Sequence, residues 1–184
     1  MNELCGMLIF VVPSKAGTKM AKFEEQRVGV LVDIQNLYYS AKVLFGKKVN
    51  FKKVLEDATT KRKLIRALAY GIRTTEGLEE KFFEALEKQG FEVKTKDLQI
   101  FPGGQKKGDW DVGIAVDAIK LSKSLDAIVL ISGDGDFVSL VEYLQNTTGC
   151  RVEVMAFAES ASAKLIEKAD DFTNLSENKK KFLI

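Results

Sequence analysis

The chain is predicted to be an α/β protein, a three-layer sandwich with a mainly parallel central sheet. Short β-branched runs such as RVGVLVD (27–33) and DAIVLIS (126–132) are almost continuously apolar, as strands buried on both faces are. Segments with helical apolar spacing alternate with them, and the connections between the two are short. The length also fits: 184 residues, 46% of them hydrophobic, fill one ordinary core and fall short of two.

The elements follow in order. RVGVLVD is a strand too short for a helix, and it ends in Asp33. NLYYSAKVLFG carries Leu37, Tyr38, Ala41, Leu44 and Phe45 at helical spacing and stops at Gly46. NFKKVLEDAT is a second helix, capped by Asn50. KLIRALAYGI (63–72) is a buried strand, with helix left open by its leucines and alanines. TEGLEEKFFEALEKQG is a helix between a Thr75 cap and a Gly90 stop. FEVKTKDLQIF alternates as one strand does, and PGGQKKG (102–108) is a basic turn-rich loop. DWDVGIAVDAIKLSKS is then helix, DAIVLIS strand, DFVSLVEYLQNTTG helix, RVEVMAFA strand, and SASAKLIEKADDF a helix with a serine cap. The domain is expected to span 27–176, with 1–26 as an N-terminal tail or added segment and 177–184 as a C-terminal tail.

Composition removes whole classes of chemistry. The chain has no histidine, which excludes Ser-His-Asp and Cys-His catalysis and histidine-containing zinc or iron sites. Cys5 and Cys150 are far apart with no CxxC spacing, and Cys150 is expected to be a small buried filler before a strand. Any metal must therefore be held mainly by oxygens, which points to Mg²⁺ or Mn²⁺. The net charge of +2 commits the whole chain to no polyanion, so a basic surface has to be local. The apolar run Met7–Val12 lacks a positive flank and is too short to span a bilayer. A cytoplasmic protein with no membrane contact is expected. Met20 is a plausible alternative start, which leaves residues 1–19 open as a tail, an added strand or a start-codon artefact.

Ligands of open parallel sheets collect outside the carboxyl ends of the strands. Asp33 ends the first strand, Asp134 and Asp136 follow the AIVLIS strand in ISGDGDF, and Asp109 and Asp111 open a helix after the glycine loop. Clustered carboxylates raise one another's pKa values unless a cation lies between them. Against this stands the ordinary role of an aspartate before a helix, which is to cap it, strongest for Asp111 and Asp136. Asn36 is either a helix cap or an orienting hydrogen bond. Ser132 either orients a ligand or satisfies backbone groups. Lys106 and Lys107 either face phosphates or sit on a solvated turn.

Three stretches, VGVLVDIQNLY, KKGDWDVGIAVDAI and LISGDGDFVSLVEYLQNTTGCRVEVMAF, closely resemble the NYN domain, a branch of the PIN-like nuclease superfamily. The similarity covers residues 27–172 and keeps the order of the family's motifs. It implies a Rossmann-like, PIN-like form of the sandwich. It also places the family's first-strand aspartate on Asp33, its companion asparagine on Asn36, and its Ser-Gly-Asp-x-Asp-Phe segment on Ser132 to Phe137. The spacing in KKGDWDV departs from the family's, which makes Asp109 a rival to Asp111; the distance to Asp117 favours Asp111. Asp117 itself lies about 240° around an ideal helix from Asp111 and is expected to pair with a neighbouring helix.

The activity implied is Mg²⁺- or Mn²⁺-dependent hydrolysis of RNA, with Asp33, Asp111, Asp134 and Asp136 as catalytic metal ligands and Asn36, Ser132, Lys106 and Lys107 on the substrate. Single-stranded RNA is the expected partner, with Tyr38, Tyr39 or Trp110 available for base stacking, and a homo-oligomer is left open. A dehalogenase-type phosphatase is disfavoured by Gln35, which stands where that class needs a second aspartate, and no GxxxxGK[ST] loop is present. The alternative is a catalytically inactive module that binds RNA or a protein partner.

Overall fold

The computed structural model describes residues 23–74, 79–100 and 106–184, without the side chains of Ile100, Lys106 and Lys107. The expected Thr75 cap and the segments 1–22 and 101–105 lie outside the described residues.

Among the described residues six parallel strands form the central sheet: β1 (Arg27–Asp33), β2 (Lys63–Arg73), β3 (Glu92–Asp97), β6 (Ala127–Ile131), β7 (Arg151–Ala156) and β8 (Asp171–Asn174). Their spatial order is β3-β2-β1-β6-β7-β8. Within this sheet the chain runs outward from β1 in one direction, then returns to β1's other side and runs outward again, as in a doubly wound fold. The point of reversal lies between β1 and β6, where Val32 pairs with Ile131. The loops after these two strands therefore leave the sheet side by side.

Helices α1 (Ile34–Phe45), α2 (Phe51–Thr59) and α3 (Glu80–Lys88) connect the first three strands, and their Leu37, Ala41, Val54, Phe83 and Leu86 pack with Val28, Val30 and Val32 of β1. Helices α4 (Asp111–Ser122), α5 (Val138–Tyr143) and α6 (Ala163–Lys168) cover the opposite face through Ile114, Ala118, Val141 and Leu165, which meet Leu31, Leu68 and Leu130. β1 and β6 are buried on both sides, which is why their sequences do not alternate.

Several elements differ from the sequence reading. The Leu- and Ala-rich segment 63–73 is strand, because pairing with β1 and β3 on its two edges overrides a weak helical preference. FEVKTKDLQIF is not one strand: after Asp97 the chain leaves the sheet, and β4 (Gln99–Ile100) pairs antiparallel with β5 (Lys106–Lys107). DFVSLVEYLQNTTG opens as a 3₁₀ turn over Gly135–Phe137 and closes as a π turn over Leu144–Thr148. The last expected helix stops at Lys168 and is followed by β8. Asp170 directs this change, because its Oδ2 accepts from Val152 N at 2.8 Å and its own N–H donates to Val152 O at 2.9 Å, which lays the chain along β7.

Residues 177–184, expected as a tail, pack into the core. Asn50 N donates to Phe182 O at 2.8 Å, while Lys48 and Ile184 exchange backbone bonds at 2.9 Å in each direction. Phe182 and Leu183 are buried in the cluster beneath α1 and α2. Cys150 is the buried filler the sequence suggests, and burial raises its thiol to about 11.

Candidate functional site

The carboxyl ends of β1 and β6 meet the start of α4 in an open cleft of about 230 Å³. Asp33, Gln35, Asn36, Tyr39, Gly108, Asp109, Trp110, Asp111 and Asp134 line it. The four acids arrive from three separate places. Asp33 is the last residue of β1, Asp111 the first of α4, and Asp134 and Asp136 belong to the turn after β6.

Carboxylate oxygens of Asp111, Asp134 and Asp136 all lie within 4.8 Å of one another. Donors on opposite sides of one small hard cation stand about 4–5 Å apart, twice a typical Mg²⁺ or Ca²⁺ bond length, so this spacing suits an oxygen-bound ion. Among the described residues Asp33 does not join that trio, although it senses it. Burial first, and then the charges of Asp111 and Asp134, push its carboxyl up to about 6 against the bonds it accepts from backbone N–H groups. Asp111 is also raised, by burial and then by Asp134, Asp109 and Asp136. The acids thus repel one another, as expected of a cation site. Asp109, the rival in the sequence, is exposed at the rim and stands outside the trio.

Capping roles differ from the expectation in an informative way. Asp33, not Asn36, caps α1, its Oδ1 accepting from Asn36 N at 3.0 Å. That frees the Asn36 side chain to reach across to the second loop, where its Oδ1 accepts from Gly133 N at 2.9 Å. Asp134 caps the 3₁₀ turn by accepting from Asp136 N at 3.0 Å, so Asp136 is not the cap. Asp111 is the first residue of α4 and does not cap it. Ser132 is fully buried, and its Oγ accepts from Asp134 N at 3.2 Å; it shapes the turn and cannot reach a substrate.

Gly133 is required by close approach to backbone, and Gly135 sits in a space tight for any side chain. A Cβ on Gly133 would lie 2.9 Å from Ala161 Cα, and one on Gly135 would lie 3.0 Å from Ser162 Oγ. The segment after β7 thus clamps the acid turn from outside, with Ser162 N donating to Gly133 O at 2.9 Å. This clamp leaves no local mark in the sequence, since its two sides are almost thirty residues apart in the chain.

Asp117 serves the scaffold. It accepts from Tyr70 Oη at 2.8 Å and from Lys94 Nζ at 2.6 Å, which ties α4 to two strands and not to the expected neighbouring helix. Trp110 donates from its indole to Gly71 O at 2.8 Å and packs against Tyr70 with the rings tilted and their centres 5.2 Å apart. It also lines the cleft. Lys96, whose place in an alternating strand carries no site signal, sits 4.2 Å over the Trp110 ring and donates to Asp109 O at 3.3 Å. It also lines a second hollow of about 410 Å³, shared with Asp97, Gln99, Gly108 and Asp109. The side chains of Lys106 and Lys107 lie outside the described residues.

Fold and site together define the class: a doubly wound parallel-sheet protein with an acidic, oxygen-only cleft at the point where its strand order reverses. The chain belongs to the NYN domain family, which it matches over residues 27–176. NYN domains carry a PIN-like nuclease fold and are generally associated with RNA. The chain is 28% identical over 132 residues to the low amplitude and bright protein LabA of Synechococcus elongatus, covering 67% of this chain and 70% of that one. A crystal structure of a protein of unknown function from Vibrio parahaemolyticus is 33% identical, with a TM-score of 0.80 over 90% of this chain and all of that one. No helix among the described residues is long and apolar enough to cross a membrane.

Proposed function

We propose that the protein is a cytoplasmic, Mg²⁺- or Mn²⁺-dependent ribonuclease acting on single-stranded RNA. The observation that carries this reading is the convergence of Asp111, Asp134 and Asp136, the first two of which line, with Asp33, one cleft at the carboxyl ends of β1 and β6. The donor set fits the metal, being carboxylate oxygens only, close together and mutually repelling without a cation.

Asp111, Asp134 and Asp136 would hold the ion, and Asp33 adds a fourth carboxylate on the β1 side. Such an ion supplies activation of a water and neutralisation of charge on the scissile phosphate. The chain supplies the placement. Asn36 fixes the acid turn through Gly133, the turn from Gly133 to Asp136 is held rigid by Ser132 and the 160–162 segment, and Tyr39 and Trp110 bound the cleft on its apolar sides. With no histidine in the chain, proton transfer falls to water, the carboxylates or the Tyr39 hydroxyl at the cleft.

The test is cleavage of labelled single-stranded RNA by the purified protein with Mn²⁺, with Mg²⁺ and with EDTA, beside Asp134→Asn. Metal-dependent cleavage lost in the variant is expected, together with calorimetric Mn²⁺ binding that weakens in the same variant. Absence of cleavage by the wild type, or equal cleavage by Asp134→Asn, rejects the assignment. RNA binding without cleavage would leave the inactive binding module in its place.

A further inference from the structure

The exposed face of α1 combines three features that the cleft alone does not explain. Residues 34–53 contain five lysines, Lys42, Lys47, Lys48, Lys52 and Lys53, and not one acidic residue, next to a cleft that is strongly acidic. Gln35, Tyr39, Lys42 and Gly46 follow at intervals of four, three and four, so they form one stripe along the helix. Its first two members line the cleft. Tyr39 is 57% exposed and Val43, one turn further on, 81%. The opposite side of the helix is taken up by Ile34, Leu37 and Ala41 in the core.

The lysines along and beyond this stripe are exposed, and among the described residues Lys42, Lys47 and Lys48 form no ion pair. Lys42 instead lies 5.9 Å from the centre of the Tyr38 ring, and Tyr38 meets Tyr39 edge to face at 5.6 Å. At the far end Lys179 covers the Phe45 ring at 4.3 Å, which adds a further cation beside Lys47 and Lys48. Aromatic rings interleaved with unpaired cations along a surface are what a single nucleic-acid strand uses, since bases stack and phosphates follow the charge. Helix α1 is about 18 Å long at 1.5 Å per residue, enough for a short single-stranded segment.

We propose that the exposed face of α1 is the track along which single-stranded RNA runs to or from the cleft. Tyr39 stacks on a base at the mouth, and Lys42, Lys47 and Lys48 contact successive phosphates. The occupant is argued from charge complementarity and from the continuity of the stripe with the cleft wall through Gln35 and Tyr39. This inference rests on RNA being the substrate, but it needs no cleavage, so it is tested by binding alone.

The experiment is fluorescence anisotropy with a labelled single-stranded oligoribonucleotide in EDTA, across a salt series. The variants are Tyr39→Ala and the pair Lys42→Gln with Lys47→Gln. The control is Lys120→Gln in the last turn of α4 with Lys123→Gln just after it, which removes the same charge from the opposite face. Tyr39→Ala is expected to weaken binding about tenfold, the range of one lost stacking contact. The α1 lysine pair should lower the slope of log affinity against log salt by about 1.4, at roughly 0.7 per contact on a single strand. Thermal melts establish that all variants are folded. The track is overturned if the wild type does not bind the oligonucleotide at low salt, if the α1 variants bind as the wild type does, or if the α4 pair loses as much. A binding, track-dependent protein that cuts no RNA with Mn²⁺ would sink the nuclease assignment and leave the track standing.

Discussion

The Asn36 side chain accepts a hydrogen bond from Gly133 N at 2.9 Å, joining the loop after β1 to the acid turn after β6 across 97 positions of sequence. The bond exists because Asp33 has already taken the capping role at α1. Replacing Asn36 by Ala leaves Gly133 N without its partner in a partly buried place, which costs about 1–3 kcal/mol. Urea denaturation of Asn36→Ala should show that loss, and calorimetry should show weaker Mn²⁺ binding, because Asp134 is the residue next to Gly133. A variant with wild-type stability and metal affinity would mean that the bond positions nothing.

Asp33 gives the metal-free protein an unusual pH dependence. Its carboxyl is raised to about 6 in the folded state by burial and by Asp111 and Asp134, against an ordinary value of 3.8. Between these two values the folded chain holds a proton that the unfolded chain has released. Stability from this group is therefore full below about pH 4 and falls as pH rises to about 6, by about 2 kcal/mol after allowing for partial exposure. Denaturation in EDTA at pH 4.5 and 7 reads this change, and Asp33→Asn should flatten it and be the more stable protein at pH 7. An Asp33→Asn variant less stable than the wild type at pH 7 contradicts the account.

Asp117 should separate scaffold from site. Burial alone would raise its carboxyl, but the bonds from Lys94 and Tyr70 outweigh it and hold it below the usual carboxylate range. Asp117→Asn weakens both bonds and should destabilise the fold by about 1–2 kcal/mol. Its Mn²⁺ affinity should stay within about twofold of the wild type, because Asp111, Asp134 and Asp136 keep their places. A loss of metal affinity as large as that of Asp134→Asn would bring Asp117 into the site.

The central strands and the acids at their ends were legible because both signals are local. An unbroken apolar run ending in Asp33, or followed by Ser-Gly-Asp-Gly-Asp, marks a buried strand and its carboxyl edge within a dozen residues. The division of labour among the polar groups was not. Whether Asp33 or Asn36 caps α1, and whether Asp134 or Asp136 caps the next turn, depends on where the helix begins by one residue and on which backbone N–H groups stand nearby. Gly133 and Ala161 meet only in the folded chain, so their clearance leaves no mark at short range. β8 carries no strand signal for a different reason: its four residues are half-buried, and Asp170 leads into it by bonding Val152, a partner 18 positions away.

The C-terminal segment carries the sharpest stability test. Phe182 is 3% exposed and sits in the core cluster with Leu175, Phe51 and Ala58, while its carbonyl accepts from Asn50 N. Three consecutive lysines precede it, which is why the sequence looks like a solvated tail. They are reconciled with the burial of Phe182 by reaching outward, Lys179 over Phe45 and Lys181 to Asp57. Phe182→Ala removes a buried ring and leaves a cavity that the surrounding strands and helices cannot close, at a cost of about 3–5 kcal/mol. The change should appear as a lower urea midpoint with an unaltered slope, since the unfolded chain exposes nearly the same surface. A deletion of residues 179–184 should be at least as harmful, because it also strips Lys48 and Asn50 of their backbone partners. A variant as stable as the wild type would return this segment to the solvent and make the Val49–Leu183 bridge incidental.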